Sequence, residues 1–201
     1  MKNFIFTIPQ QPANSLKETK YENPCRNPIL ECPKATRFPI LVPMRNTVAK
    51  GEKICITAIR PEHANCFTNE KTFMDELAKL KDELDFEYDL HIVSTPFSET
   101  ISDHFSLFSD MIENVHNDDE IYSDITFGTK PIPMIMLMTL TYAYRFKDDV
   151  SVESIVYGQY NHDTDISGLF DVSALFYMNS TINTMSETSD PEKFIKDILA
   201  L

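Results

Sequence analysis

One short run holds the densest set of chemically useful side chains in the sequence: Asp124-Ile125-Thr126-Phe127-Gly128-Thr129-Lys130-Pro131. Gly128, one of only 4 glycines in the chain, permits a tight turn that brings backbone N–H groups close to a ligand. Thr126 and Thr129 supply hydroxyls, Lys130 supplies a cation, and Pro131 suits the first turn of a helix. A turn of this kind leading into a helix N-terminus is an anion site. It is not a Walker loop, because the glycine spacing and the Gly-Lys-Ser/Thr ending are absent. The same residues also make an ordinary strand-to-helix turn with Lys130 in solvent, and residue types leave both readings open. Asp124, at a strand end, is either an acid or base or, more plainly, a cap or a partner for a loop N–H.

In parallel α/β sheets ligands collect beyond the carboxyl ends of the strands, and three more loops qualify. The loop after the first strand offers Thr7, Pro9, Gln10 and Gln11. The next begins with Arg60, and the third runs from Ser94 and Thr95 to Glu99. Arg60 and Arg45 (with Asn46 beside it) have the reach to bind phosphate, or to form surface ion pairs. His91 lies in a strand, where a hydrogen-bonded structural role is the plain reading. His104 and His116 are placed on the polar side of a helix. His162, Asp163 and Asp165 resemble a metal cluster without a fourth ligand, so no metal is assigned. Cys25, Cys32, Cys55 and Cys66 match no compact zinc spacing and read as free thiols. No Ser-His-Asp or Cys-His set is evident, and no cofactor is implied.

The elements that must position these residues follow from periodicity. Lys2 to Ile8 alternates as a strand ended by Pro9. Gln10 to Pro43 is polar and Pro-rich, a long excursion, with Phe38 to Pro43 an edge or irregular segment. Lys53–Ile59 is a buried strand, followed by a helix capped at Thr68 or Asn69 with Phe73, Leu77, Leu80 and Leu84 on one face. A strand over Phe86–Val93 precedes a helix opened by Ser98 or Thr100, whose stripe is Ile101, Phe105, Phe108, Ile112 and Val115. Glu120–Ile125 is a strand, and Pro131–Phe146 a helix apolar nearly all round, expected to be the most buried. A strand over Val152–Tyr157, a polar loop over Asn161–Ser167 and a helix over Phe170–Met185 complete the pattern. The fold class is therefore α/β, Rossmann-like, a mostly parallel sheet with helices on both faces and an N-terminal Pro-rich excursion. Residues 1–190 form one domain, and 191–201 a terminal helix or linker stub.

The hydrophobic fraction of 42% with 14 Phe suffices for a core. No apolar run reaches the roughly 18–20 residues of a membrane span, and the first residues lack the features of a signal peptide. A cytoplasmic protein with no membrane partner is expected. The net charge of −13 argues against a long nucleic acid, which requires a broad basic surface. It leaves room for a small nucleotide held locally.

Over Asp119 to Met134 the sequence resembles the CRISPR-associated Rossmann-fold (CARF) sensor domains of type III CRISPR systems. The likeness rests on a strand, Asp124-Ile125-Thr126, the Gly128 turn, Lys130 and the Pro-Met helix start at Pro133-Met134. It continues through Val152 to Gly158 and into Phe170-Asp171-Val172, covers about the second half of the chain, and is diffuse before Lys53. The resemblance implies a homodimer that binds cyclic tetra-adenylate or cyclic hexa-adenylate across its two-fold axis. The ring would rest on the loops Thr7 to Gln11 and Thr126 to Lys130. Many relatives have a His-Gly-Phe-Arg type of turn where this chain has Phe127-Gly128-Thr129-Lys130. The cation is kept as Lys130, while a stacking or bidentate contact is put in doubt. The Pro-rich excursion from Asn14 to Pro43 is a second departure, placed to cover the ligand or the dimer edge.

Three functions follow from these readings. The resemblance favours a sensor domain whose ligand controls an effector absent from this chain. An alternative is a metal-independent ring nuclease, in which Thr126, Thr129 and Lys130 align a ribose 2′-OH with the adjacent phosphorus. A Rossmann enzyme using a mononucleotide or dinucleotide is weakened by the missing Gly-x-Gly-x-x-Gly motif.

Overall fold

Lys2-Asn3-Phe4-Ile5-Phe6-Thr7 alternates Phe4 and Phe6 on one side with Asn3, Ile5 and Thr7 on the other, and all five are buried, as in a strand covered on both faces. In the computed structural model, which describes residues 1–161 and 166–184 with 190, 193 and 196 as isolated positions, this segment is β1 (Lys2–Thr7), at the centre of the sheet. It pairs in parallel with β2 (Lys53–Pro61) on one side and β4 (Glu120–Asp124) on the other. β3 (Glu87–Thr95) joins the outer side of β2, and β5 (Ser151–Asn161) the outer side of β4, both in parallel. β6 (Ile166–Asp171) closes the far edge antiparallel to β5. The order β3-β2-β1-β4-β5-β6 is Rossmann-like, and its direction reverses between β1 and β4.

The alternation of β1 divides the core in two. Phe4 and Phe6 face α1 (Leu41–Thr47) and α2 (Ala64–Leu84), where Phe4 stacks on Tyr122 at 4.9 Å between ring centroids and Phe6 meets Phe73 at 4.5 Å. Ile5 faces the other layer, made by α3 (Ile101–Glu113), α4 (Pro131–Phe146) and α5 (Ser173–Thr184), with Leu107, Met111, Ile135, Met136 and Phe176. A smaller cluster of Leu30, Cys32, Val42, Val156 and Leu169 lies beneath the N-terminal excursion, beside β5 and β6.

Several local expectations are corrected. Phe38 to Pro43 is no sheet edge: residues 38–40 are irregular, as one alternative had it, and 41–43 open α1, with Phe38, Ile40, Leu41, Val42 and Met44 buried. Pro43 sits in the first turn of that helix, where its missing N–H is not needed. The cap of α2 is His63, five or six residues before the expected Thr68 or Asn69, with its ring accepting from Asn65 N–H. In α3 the Thr100 cap is present, with a reciprocal bond to Asp103. Its stripe holds only at the far end, where Phe108 packs on the core and Val115, just past the helix, is buried: Leu107 and Met111 take the inward face, while Ile101 and Phe105 are 73% and 68% exposed. His104 therefore turns partly inward. α4 buries Ile132, Ile135, Met136, Thr139, Leu140 and Ala143, yet exposes Met134 and Met138. Phe170 lies in β6 rather than opening a helix, and α5 starts at Ser173. His162, Asp163 and Asp165 lie outside the described residues, as does most of 191–201. No described helix is long and apolar enough to cross a membrane.

Candidate functional site

The loops after β1 and β4 emerge side by side where the sheet order reverses, the place at which open α/β sheets bind ligands. Their contact is direct. Gly128 has φ +108°, and a Cβ built on it would stand 3.3 Å from Thr7 Cγ2, 3.4 Å from Thr7 Oγ1 and 3.3 Å from Ile132 Cβ. A side chain at position 128 would thus fill the space over Thr7.

The β4 loop is held from within. Asp124 is buried, and its Oδ1 accepts from Thr126 N–H at 2.8 Å. Burial pushes its carboxyl up to about 6, opposed by the bonds from Thr126. Thr126 Oγ1 accepts from Gly158 N–H at 2.8 Å, and Ile125 N–H donates to Val156 O at 2.9 Å, tying the loop to β5. Asp124 is therefore a support of the loop. Phe127 packs against the α1–α2 face of the core, which orients the turn.

The β1 loop is held from outside, by α2. Asn69 is fully buried and its Nδ2 donates to Pro9 O at 2.8 Å and Gln11 O at 2.9 Å. Asn65 Nδ2, one helical turn earlier, donates to Gln10 O at 2.9 Å. These two asparagines at i, i+4 on one helix face grip three successive carbonyls. Their spacing was available in the sequence, but their targets lie more than fifty residues away.

Polar atoms without a partner lie beneath the two loops. Thr7 Oγ1, Gln10 Nε2 and Thr129 Oγ1 are buried without a hydrogen-bond partner. Buried polar groups are almost always satisfied, and three of the seven unpartnered buried side-chain atoms among the described residues gather where the end of β1 and the β4 loop adjoin. Gln10 and Thr129 border a small cleft together with Thr95, His104 and Ile132. Lys130 stands exposed at the start of α4 and makes no ion pair among the described residues.

The helix N-terminus itself contributes less than the sequence suggests. Pro131 and Pro133 carry no N–H, and Ile132 N–H is taken by Thr129 O at 3.0 Å. The first turn of α4 therefore offers an anion few backbone donors.

The remaining expected residues separate from this group. Ser94 receives a bond from Arg60 Nη2 at 2.7 Å; Arg60 also pairs with Glu70 at 2.8 Å and lies over the Phe67 ring at 4.7 Å. Its guanidinium is engaged by protein groups. Arg45 pairs with Glu83 at 2.7 Å, and Asn46 Nδ2 donates to Ile29 O and Glu31 O, which anchors the excursion. Both sit on α1, close to the amino-terminal side of the sheet, where Lys2 Nζ donates to Thr47 O. Arg45 and Asn46 thus belong to the packing of the excursion and not to the loop cluster, because α1 runs away from the carboxyl edge.

No protein-family description matches this sequence. Over 89 residues the chain is 33% identical to the CRISPR-associated protein MJ1674 of Methanocaldococcus jannaschii; the match covers 43% of this chain and 14% of that protein. The chain thus resembles one part of a much longer protein.

Proposed function

We propose that this chain is a sensor domain that binds cyclic oligoadenylate, as the tetra- or hexa-adenylate ring, across a homodimer, and serves a CRISPR-associated function. The observation that carries the reading is the set of buried, unpaired atoms Thr7 Oγ1, Gln10 Nε2 and Thr129 Oγ1 around the Thr7–Gly128 contact. Hydroxyls and an amide can donate to phosphate oxygens or pair with base edges, and Lys130 adds a charge-assisted contact from each subunit. The partial similarity to a CRISPR-associated protein supports the biological setting. The apolar residues exposed on α4 support a two-subunit arrangement.

The test is titration calorimetry of the purified chain with cyclic tetra-adenylate and cyclic hexa-adenylate, with the ligand recovered and analysed by chromatography. Saturable binding with one ring per two chains and intact ligand is expected. Lys130→Ala should weaken binding at least tenfold, about 1.4 kcal/mol per subunit pair. Conversion to linear adenylates would make the chain a ring nuclease instead, and no binding of either ring would end the proposal.

A further inference from the structure

The N-terminal excursion builds a second wall beside the Thr126–Phe127 turn. Between residues 15–22, that turn and the β5–β6 hairpin lies a cleft of about 940 Å³, at the upper end of the 300–1,000 Å³ range of small-molecule sites. Its wall is preformed. Thr19 and Thr36 exchange both backbone hydrogen bonds at 3.0 Å. Three residues further, Glu22 N–H donates to Ser167 O and Leu169 N–H to Glu22 O, each at 2.8 Å, so the segment is laced to β6. Asn27 Nδ2 donates to Asp171 Oδ2 at 2.7 Å and closes the same edge.

The floor is set by a glycine. A Cβ on Gly158 would lie 3.1 Å from Thr126 Cγ2, 3.2 Å from Thr126 Oγ1 and 3.3 Å from Pro39 Cγ. The missing side chain leaves Thr126 room to accept the bond from Gly158 N–H. Thr126 and Phe127 therefore belong at once to the loop that carries Lys130 and to this cleft.

The lining has the chemistry of a nucleotide site. Lys17 and Lys20 make no ion pair among the described residues, and the amides of Gln11 and Gln159 are uncommitted to protein groups there. Arg37 is occupied by Glu76 at 2.8 Å, with Glu18 at 3.5 Å. Glu18 and Glu22 balance the two lysines in number, so what the wall offers a phosphate is two ammonium groups outside any ion pair among the described residues rather than a net charge. Two free cations, amides able to read a base edge and the half-buried ring of Phe127 suit phosphate plus base, in a chain whose net charge is −13.

We infer that the Ser15–Glu22 segment is part of the ligand site, and that this cleft takes an adenylate unit of the ring with its phosphate against Lys17 and Lys20. This rests on the cyclic oligoadenylate reading and extends it to a part of the chain outside the two loops.

The experiment compares the full chain with the Lys17→Ala/Lys20→Ala double variant, titrated with cyclic tetra-adenylate and cyclic hexa-adenylate. A Lys50→Ala/Lys53→Ala variant serves as a charge-matched control from the amino-terminal side of the sheet. The Lys17/Lys20 variant should lose at least tenfold in affinity for the bound ring, with an unchanged melting temperature without ligand, and the control should lose less than twofold. Equal affinity of the Lys17/Lys20 variant and the unaltered chain would overturn the inference and leave the sensor reading standing, as would an equal loss in the control. If the unaltered chain binds neither ring, both fall together. Gly158→Val supplies a second probe, since it fills the floor without touching a charge and should also lower affinity.

Discussion

Gly128 and Thr7 touch across the point where the sheet reverses direction: a Cβ at position 128 would come within 3.3 Å of Thr7 Cγ2. The glycine is needed twice, for a φ of +108° and for that approach. Gly128→Ala should therefore cost about 1–3 kcal/mol of stability, the usual range for a strained backbone position, and should displace Thr7 as well. Gly51→Ala isolates the backbone part, because Gly51 has φ +76° with nothing within 4 Å of its Cβ position. Urea unfolding should find Gly128→Ala the more destabilising of the two, and ligand titration should find only Gly128→Ala impaired. Equal losses of stability and unimpaired binding would show that the contact with Thr7 has no consequence.

Asn69 is the next test, since its side chain holds Pro9 O and Gln11 O from a fully buried position. Asn69→Ala leaves both carbonyls short of a donor, which should cost on the order of 2–3 kcal/mol. Asn69→Asp should do at least as much harm once its carboxyl ionises, because a carboxylate would face two carbonyl oxygens with nothing to donate. Chemical denaturation of both variants checks this, and a change below 0.5 kcal/mol in each would mean that the loop is positioned by other contacts.

The carboxyl of Asp124 gives a prediction in pH. Burial raises it from the ordinary 3.8 to about 6, so between those values the folded chain holds a proton that the unfolded chain has released. Stability from this group is fully present below about 4 and falls as pH rises through 6, by roughly 3 kcal/mol. Glu83, drawn down to about 2 by Arg45 and Lys34, acts in the opposite sense and only below its ordinary 4.5. Asp124→Asn keeps an oxygen for Thr126 N–H and removes the titration. Denaturation midpoints from pH 4 to pH 8 should show the variant gaining stability relative to the unaltered chain as pH rises. A constant difference across that range would refute the assignment.

The sheet was legible in the sequence because β1 and β2 carry short apolar stretches bounded by Pro9 and Pro61, β4 ends at the Gly128 turn, and the βα alternation orders them. The face of α3 was not. Ile101, Phe105, Phe108 and Ile112 make as good an apolar stripe as Leu107 and Met111, and only packing against α4 decides between them. β6 was missed because Phe170 and Leu169 continue into a helix of similar apolarity, so periodicity shows no break until Asp171 Oδ1 accepts from Ser173 N–H. Of the site, the Gly128 turn could be read from local residue types. The Asn65–Asn69 grip could not, because its meaning lies in carbonyls on a distant loop. Arg45 and Asn46 misled for the same reason: their types suit a ligand, but α1 carries them to Glu83 and to the excursion.

The misjudged faces of the helices bear on assembly. Met134 and Met138, one turn apart on α4, are 67% and 54% exposed, and Leu137 lies beside them. Methionines in such a patch adapt to an opposing surface, and exposed apolar groups of this kind mark an interface. If two copies meet here, the twofold axis runs close to α4, which Lys130 immediately precedes, and the two Lys130 side chains come to one side of the assembly. Met138→Glu would then place a carboxylate in each half of the interface and oppose its twin across the axis. Sedimentation at micromolar concentration should give a dimer for the unaltered chain and a monomer for Met138→Glu, with ring affinity falling in step. A monomeric unaltered chain that binds the ring one to one would remove the dimer from the mechanism, and a dimeric Met138→Glu would move the interface to another face.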